Sequence, residues 1–462
     1  MLTLADAILQ EDVDSVQQML RYGGDVNQID EYGFTPLIEA SIIDNIKMCE
    51  LLLQHGASPN QQDVTGGTAL QWAVENNNLD LCKLLLDHRA NPNAYNFAGQ
   101  PVLVMAILRR QKALRQLLVQ AGADEVFAQD YINTKLLGHL FELIGTANII
   151  GPTNQLVEVD FEGFILEVTL AIAAETLAQF KNHFSARKLR RYLGIAQFIV
   201  EVIGRAAQLI KHQQYRIDIR QFKNDIDRLI EQDPILIPVG YEGHAITFIK
   251  FGRVWVKCDR REDSRLYDNV MFYRIMRPEN ATTEFIKQLM YTKQTSEFIN
   301  QELDQLLGLQ PLTELKIEAQ ISGNCSWANV EATIPAIFFL VLMQLNSEES
   351  AAAHHKSLAL NFFHRWRDWN KERALQFCIQ RFKEGDVIRK ASHAEILAAI
   401  LFQRCDYREP ADQKHIENIL SALLHSPYEY ILKNYLRVYY YETQTEDGKR
   451  FAELLKEYGY KV

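Results

Sequence analysis

The sequence predicts a multidomain protein of mixed class, with a helical repeat array first, an α+β region second and an all-α region last. Three observations support this. A 33-residue period runs through the first third of the 462-residue chain, strand-like alternation lies between residues 235 and 259, and residues 354–462 have a helical pattern. The predicted domains are 1–126, 127–353 with a core at about 235–345, and 354–462. This agrees with the roughly three domains that the length suggests.

Charge and cysteine content restrict the function classes. The formal net charge is −10, and residues 1–126 hold 8 Lys and Arg against 16 Asp and Glu. An acidic N-terminal third argues against nucleic acid and for a protein as the partner. The six cysteines form no CxxC pair and have no histidine at zinc spacing. We therefore expect reduced thiols and neither a metal site nor a cofactor.

The N-terminal residues and the longest apolar run indicate whether the chain has an export signal or a membrane segment. The first ten residues lack a basic start, and Asp6 interrupts their apolar run, so no Sec signal peptide is predicted. The longest apolar run, Ile334–Met343, is about half of what spans a bilayer, which favours a buried helix and no membrane segment.

The N-terminal third is a repeat. Three segments align at a spacing of 33 residues: Gly33-Phe-Thr-Pro-Leu37, Gly66-Gly-Thr-Ala-Leu70 and Gly99-Gln-Pro-Val-Leu103. The pattern resembles the ankyrin repeat over residues 1–126, with about four units. Because each unit buries its apolar face only against the next, Cys49 and Cys82, which are also 33 residues apart, are predicted to be equivalent core positions.

The resemblance to ankyrin repeats implies protein binding through the loop tips, or fingers, and the concave face. The alternative is that the array only packs on the rest of the chain. The predicted partner-binding finger residues are Asp30, Glu31, Tyr32, Gln61, Gln62, Asp63, Tyr95, Asn96 and Phe97.

The middle region alternates helices and strands. Residues 165–231 predict two or three helices, and their basic cluster Arg187–Arg191 is interpreted as a solvated helix face in preference to a nuclear import signal or a phosphate site. A strand is predicted at residues 235–237, a long helix from about Thr282 to Leu307, and a strand from Leu312 to Ile317.

A hairpin between His244 and Asp259 predicts that these two side chains meet. With a two-residue turn at Gly252, opposed residue numbers sum to 503 or 505, which places the two residues opposite or diagonal on one face. A carboxylate at this distance would fix the imidazole tautomer and stabilise its charged form. Cys325 follows Gly323 and Asn324 at a predicted helix start, where the helix dipole stabilises a thiolate.

The order His244, Asp259, Gln320, Cys325 resembles the adenain and Ulp-type cysteine proteases, a clan that includes YopJ-type effectors, and the string around Cys325 resembles the papain cysteine segment. The resemblance implies a papain-like, cysteine-protease-like α+β domain, with Cys325 as nucleophile, His244 as base, Asp259 as orienter and Gln320 as oxyanion donor. The spacing from Gln320 to Cys325 is one residue shorter than usual, with the Asn324 amide as a substitute donor, and Ser326 replaces a common glycine.

An ankyrin array followed by such a module also resembles the ankyrin-repeat effectors of the Legionella type IV secretion system. The resemblance implies a monomer delivered into the host cytosol, with the nucleus as an alternative, that binds a host protein and hydrolyses a peptide or isopeptide bond. Two alternatives stay open: an acyltransferase that uses the same triad, and a scaffold whose triad is vestigial.

Overall fold

The computed structural model describes residues 3–462 except 164–165, 212–221, 242, 261–269, 321–322 and 346–348. The chain forms two compact units. Unit 1 consists of Met1–Leu137, Gly145–Phe161 and Leu375–Val462, and unit 2 consists of Gly138–Ile144 and Glu162–Ala374.

Unit 1 begins with four pairs of short helices. Thr35 and Asn45 accept hydrogen bonds from backbone N–H groups in the first turns of the two helices of the second pair, which fixes where they start. Cys49 and Cys82 are fully buried as predicted, and burial raises the pKa of both thiols to about 12. The eight helices are α1 Leu4–Leu9, α2 Val13–Arg21, α3 Pro36–Ile42, α4 Ile46–Gln54, α5 Ala69–Glu75, α6 Leu79–Asp87, α7 Leu103–Leu108 and α8 Lys112–Gln120.

The rest of unit 1 comes from distant parts of the sequence. Helix α9 (Glu125–Leu140) follows the repeats, and an antiparallel hairpin of β1 (Thr146–Ile150) and β2 (Leu156–Asp160) comes next. The Ser392 hydroxyl donates to the Asn148 carbonyl at 2.5 Å and ties the C-terminal segment to β1. The C-terminal helices are α17 Val387–Arg404, α18 Pro410–Leu423, α19 Tyr430–Tyr435 and α20 Glu446–Glu457, with a π-helical segment Leu436–Glu442.

Unit 2 is built on a five-stranded antiparallel meander in the order β3-β4-β5-β6-β7. The strands are β3 Ile235–Tyr241, β4 His244–Phe251, β5 Val254–Cys258, β6 Val270–Ile275 and β7 Leu309–Leu315. The α-helices are α10 Leu166–Asn182, α11 Leu193–Ile210, α12 Lys223–Ile230, α13 Thr283–Tyr291, α14 Leu303–Leu307, α15 Cys325–Leu345 and the first part of α16 Ala352–Glu384. Shorter helical turns are Phe184–Tyr192, Pro278–Asn280, Phe298–Glu302 and Glu349–Ala351.

Helix α15 is the core helix of unit 2. It packs against β4, β5, α10 and α11, and every residue from Ser326 to Leu340 is buried. The apolar run Ile334–Met343 thus lies in a buried helix, as predicted. Within the described residues, two helical stretches are long and apolar enough to cross a membrane, α15 and Phe184–Ile210. Their apolar windows are 78% and 39% buried inside the protein, and the burial of α15 is that of a core helix.

The predicted long helix from Thr282 to Leu307 is wrong, because α13 ends at Tyr291 and helical structure resumes only after Thr295. The Thr292 hydroxyl and the Gln294 amide both donate to the Gln288 carbonyl, at 2.6 and 3.0 Å. These side chains satisfy a carbonyl of the last turn of α13 and end the helix there.

The compact units do not follow the predicted domain boundaries. Helix α9 runs through the boundary at residue 126 and α16 runs through the one at residue 353. Residues from Leu375 onward belong to the same unit as the ankyrin helices, whereas residues 354–374 belong to unit 2. A sequence pattern does not reveal this, since the contacts that assemble unit 1 join residues more than 200 positions apart, such as Asn148 and Ser392.

Candidate functional site

The hairpin of β4 and β5 brings His244 and Asp259 together. Its register pairs Phe251 with Val254 and Thr247 with Cys258, so opposed residue numbers sum to 505, the second of the two predicted registers. His244 is therefore diagonal to Asp259 on one face, and its Nε2 lies 3.0 Å from the Asp259 Oδ1. Both side chains are largely buried, which strengthens this hydrogen bond.

Cys325 is the first residue of α15, as predicted. The Ala328 N–H donates to the Asn324 carbonyl at 2.9 Å, which starts the helix at this point. The His244 ring and the N–H groups of Ala245 and Ser326 lie close enough to the Cys325 sulfur to stabilise its thiolate. Because Nε2 of His244 faces Asp259, Nδ1 is the ring nitrogen that is left for the sulfur. The structure thus joins three of the predicted site residues in one chain of contacts.

These contacts shift both pKa values toward an ion pair. Burial disfavours charge on Cys325 and His244, but the hydrogen bonds and opposite charges outweigh it. The pKa of the Cys325 thiol is lowered, since the imidazolium and two N–H groups stabilise the thiolate. The pKa of His244 is raised to about 9, since Asp259 and the sulfur stabilise the imidazolium. Both shifts favour the thiolate and imidazolium forms over the neutral pair.

Gln320 and Asn324 differ in how they are held. Gln320 is buried, and its backbone N–H donates to the Arg260 carbonyl at 2.8 Å. The Asn324 amide bonds to His139 twice, since its oxygen contacts the ring Nδ1 and its Nδ2 donates to the His139 carbonyl at 3.2 Å. The His139 ring also stacks on Trp327. Asn324 is therefore engaged with His139 in supporting the turn before Cys325.

Sequence reasoning missed Asn329. This residue is 1% exposed, and its amide bonds to the backbone of Ala245 and of Arg260, the residues that directly follow His244 and Asp259. The available signal was its position four residues after Cys325, which places it on the same face of α15. His139 left no such signal, because it lies 185 residues away in sequence from its partner Asn324.

The predicted finger residues of unit 1 fall into two groups. The side chains of Asp30, Asp63 and Asn96 each accept hydrogen bonds from backbone N–H groups of their own loop. Asp63, for example, accepts from the N–H groups of Thr65 and Gly67 at 2.7 and 2.9 Å. Tyr95 stacks edge-on against Phe127, and Gln61 is half-buried. Glu31, Tyr32, Gln62 and Phe97 are exposed, as is Val64, which the sequence analysis did not name.

Asp63→Ala is expected to destabilise unit 1 by about 2 kcal/mol, because it leaves buried donors, including Nε1 of Trp72, without an acceptor. Faster hydrogen exchange at the Thr65 and Gly67 amides would report this loss. Tyr32→Ser is the control, since its side chain is exposed and its cost should stay within about 0.5 kcal/mol. An Asp63→Ala variant with native exchange rates would contradict the structural role.

Two comparisons with known proteins bear on the chain, one on its N-terminal repeats and one on nearly its whole length. The family model of ankyrin repeats (3 copies) matches residues 4–96 and 57–130. A solved structure described as that of the Legionella effector AnkH superposes with a TM-score of 0.89 at 40% sequence identity, and the match covers 99% of this chain and 98% of that chain. The chain belongs to the AnkH family. No curated protein matched it.

Membership of the AnkH family confirms the ankyrin repeats and the likeness to a Legionella effector. Ankyrin repeats generally mediate protein–protein interactions, which agrees with a protein partner. The chain is mostly helical with two small sheets. The papain-like fold and the thiol chemistry stay predictions, and they rest on the site geometry alone.

Proposed function

We propose that this chain is an injected effector that binds a host protein through its ankyrin repeats and hydrolyses a peptide or isopeptide bond at Cys325. The observation that supports catalysis most directly is the hydrogen bond between Nε2 of His244 and Asp259 at 3.0 Å, together with the proximity of His244 to the Cys325 sulfur, which lowers the pKa of the thiol. A nucleophile, a base and an orienter in this arrangement are what thiol acyl chemistry requires.

In the proposed reaction, the Cys325 thiolate attacks the carbonyl carbon of the substrate and forms a C–S bond. The C–N bond then breaks, and the His244 imidazolium gives its proton to the leaving amine. A thioester remains on Cys325. His244, now neutral, takes a proton from water, which attacks the thioester and releases the acid, and the thiolate and the imidazolium are restored.

Negative charge on the carbonyl oxygen needs donors that are already in place. The backbone N–H of Cys325 belongs to the first turn of α15, where N–H groups have no acceptor within the helix. We assign Gln320 as the second donor, since it is buried and its backbone is fixed by the Arg260 carbonyl. Such preorganised donors typically contribute about 3 kcal/mol each to the transition state.

Recruitment is assigned to the exposed finger residues of unit 1, foremost Tyr32, Val64 and Phe97. These side chains are 63–72% exposed, and they recur at spacings of 32 and 33 residues. Two of them, Tyr32 and Phe97, are aromatic, and exposed aromatic side chains are what protein interfaces use as anchors. Delivery into the host cytosol is proposed on the likeness to the AnkH effector.

The basic cluster Arg187–Arg191 has a role only if the chain is an acyltransferase, in which case it would bind the phosphate groups of the acyl donor. Its Arg and Lys side chains are exposed on the helical turn Phe184–Tyr192, whereas Ala186 and Leu189 are buried there. Burial of two residues within the segment argues against an import signal that binds in extended form.

The experiment uses the full chain with Cys325→Ala as bait for host proteins. Captured proteins are incubated with the unchanged chain, with and without acetyl-CoA, and their intact masses are measured against the Cys325→Ala chain. New fragments that need Cys325 are the expected result. A mass gain that needs acetyl-CoA would establish the acyltransferase, and captured proteins of unchanged mass would establish the scaffold.

A further inference from the structure

We propose that Asn329 is the positioning residue that holds the His244, Asp259 and Gln320 segments in register with Cys325. This inference rests on the proposed function, since it concerns the same thiol site. Asn329 lies one helical turn beyond Cys325 on α15 and is 1% exposed. Its side chain does not touch the reacting atoms, so its effect must act through the residues that it holds.

The first link is to the strand that carries His244. The Asn329 Nδ2 donates to the Ala245 carbonyl at 2.6 Å. The Ala245 N–H lies close enough to the Cys325 sulfur to stabilise its thiolate. Because His244 is the neighbour of Ala245, the hydrogen bond from Asn329 positions the strand residue that carries the imidazole relative to α15.

The second link is to the segment that carries Asp259. The Arg260 N–H donates to the Asn329 Oδ1 at 2.8 Å, and the Arg260 carbonyl accepts the Gln320 N–H at the same distance. Arg260 follows Asp259 directly, so one backbone residue joins the orienter to the predicted oxyanion donor. A single amide on the helix that begins at Cys325 thus contacts the residues next to His244 and Asp259 and is linked to Gln320 through Arg260.

An amide is the side chain that suits this position. One end must donate to a carbonyl and the other must accept from an N–H, and the planar amide of Asn offers both within the length of a short side chain. Buried hydrogen bonds of this kind restrict motion, and a displacement of about 1 Å at a reacting group costs about 100-fold in rate.

Several other ionisable groups surround the site. His244 lies beside the sulfur, and Asp259 is hydrogen-bonded to His244. His139 contacts Asn324 and stacks on Trp327, and the Glu162 carboxyl lies against Gly323. The Arg260 side chain lies with Glu142 and Glu331 at 3.6 Å from each. Neither Asn329 nor its replacements by Leu or Gln adds a titrating group, so a change in pH dependence must come from displaced contacts.

The test is the pH dependence of Cys325 alkylation by iodoacetamide in the full chain. Asn329→Leu, of similar volume, removes both bonds, whereas Asn329→Gln keeps the amide. We expect Asn329→Leu to raise the apparent pKa of Cys325 toward about 8.5 and to slow alkylation at pH 6.5 about tenfold. Asn329→Gln should recover part of the rate.

Ile337→Ala is the matched control, because Ile337 is a fully buried residue of the same helix that makes no hydrogen bond to the site. It should lower the melting temperature and leave the pH profile unchanged. An Asn329→Leu profile equal to that of the unchanged chain overturns the positioning role alone. If the unchanged chain itself has an ordinary thiol pKa that His244→Ala does not alter, the proposed function fails as well.

Discussion

Replacing His244 by alanine should slow the reaction of Cys325 with iodoacetamide about tenfold at pH 6.5. Without the imidazolium, a thiol with a pKa near 8.5 is only about 1% ionised at this pH. A more basic thiolate is intrinsically more nucleophilic, which offsets part of the loss. The other five cysteines are buried, so the mass of the Cys325 peptide reports this reaction selectively.

A comparison of the unchanged chain with His244→Ala also tests the charge of the imidazole. The pKa of His244 is raised to about 9, so the ring is positive below that pH and neutral above it. Iodoacetate, an anion, should therefore lose rate relative to neutral iodoacetamide as the pH rises through about 9. In His244→Ala the ratio should stay flat. His355→Ala is the control, because His355 is buried against Met343 near the other end of α15. A ratio that is flat in the unchanged chain would refute the ion pair.

Arg260→Met should destabilise unit 2 by about 3 kcal/mol. The Arg260 side chain is 0% exposed, and its guanidinium lies 3.6 Å from Glu331, whose side chain is 2% exposed. Its Nε also donates to the Glu318 carbonyl at 2.7 Å. Removing one partner of a buried ion pair leaves the other charge uncompensated, and this usually costs 3 to 5 kcal/mol; the lower end applies because Arg367 also lies near Glu331.

Urea unfolding followed by tryptophan fluorescence measures this cost. Four of the five tryptophans lie in unit 2, so a Trp72→Phe background confines the signal to that unit. Combining Arg260→Met with Glu331→Gln should restore part of the stability. Arg228→Met is the control, since its pair with Asp225 is exposed and should contribute less than about 1 kcal/mol. Equal losses for Arg260→Met and Arg228→Met would contradict the buried network.

The sequence was sufficient for features that depend on local periodicity. The 33-residue period predicted the buried pair Cys49 and Cys82, and the two-residue turn at Gly252 predicted the face shared by His244 and Asp259. In both, the spacing itself fixes the geometry. The start of α15 at Cys325 was predicted on the same basis, from a glycine and a capping residue that precede an apolar run.

Features that depend on contacts between distant segments could not be predicted. The bonds of His139 to Asn324 and of Ser392 to Asn148 join residues 185 and 244 positions apart. The hydrogen bonds of Asn329 required knowing which backbone atoms face α15. Asp63 was predicted as a partner-binding finger residue, and its burial against its own loop could not be predicted, because a short polar side chain in a loop has the same sequence signal whether it faces solvent or its own backbone.

The burial of α15 limits what natural variants of this chain can reveal about its activity. Nearly every residue of this helix contributes to the core, so a lineage that abandoned catalysis would still be under selection to keep the helix, including Asn329. Retention of the surrounding residues therefore carries no information about activity. Cys325 itself is only partly buried, which makes it cheap to lose once the chemistry is gone. The residue that relatives carry at position 325 is therefore the one in this helix that distinguishes an active lineage from an inactive one.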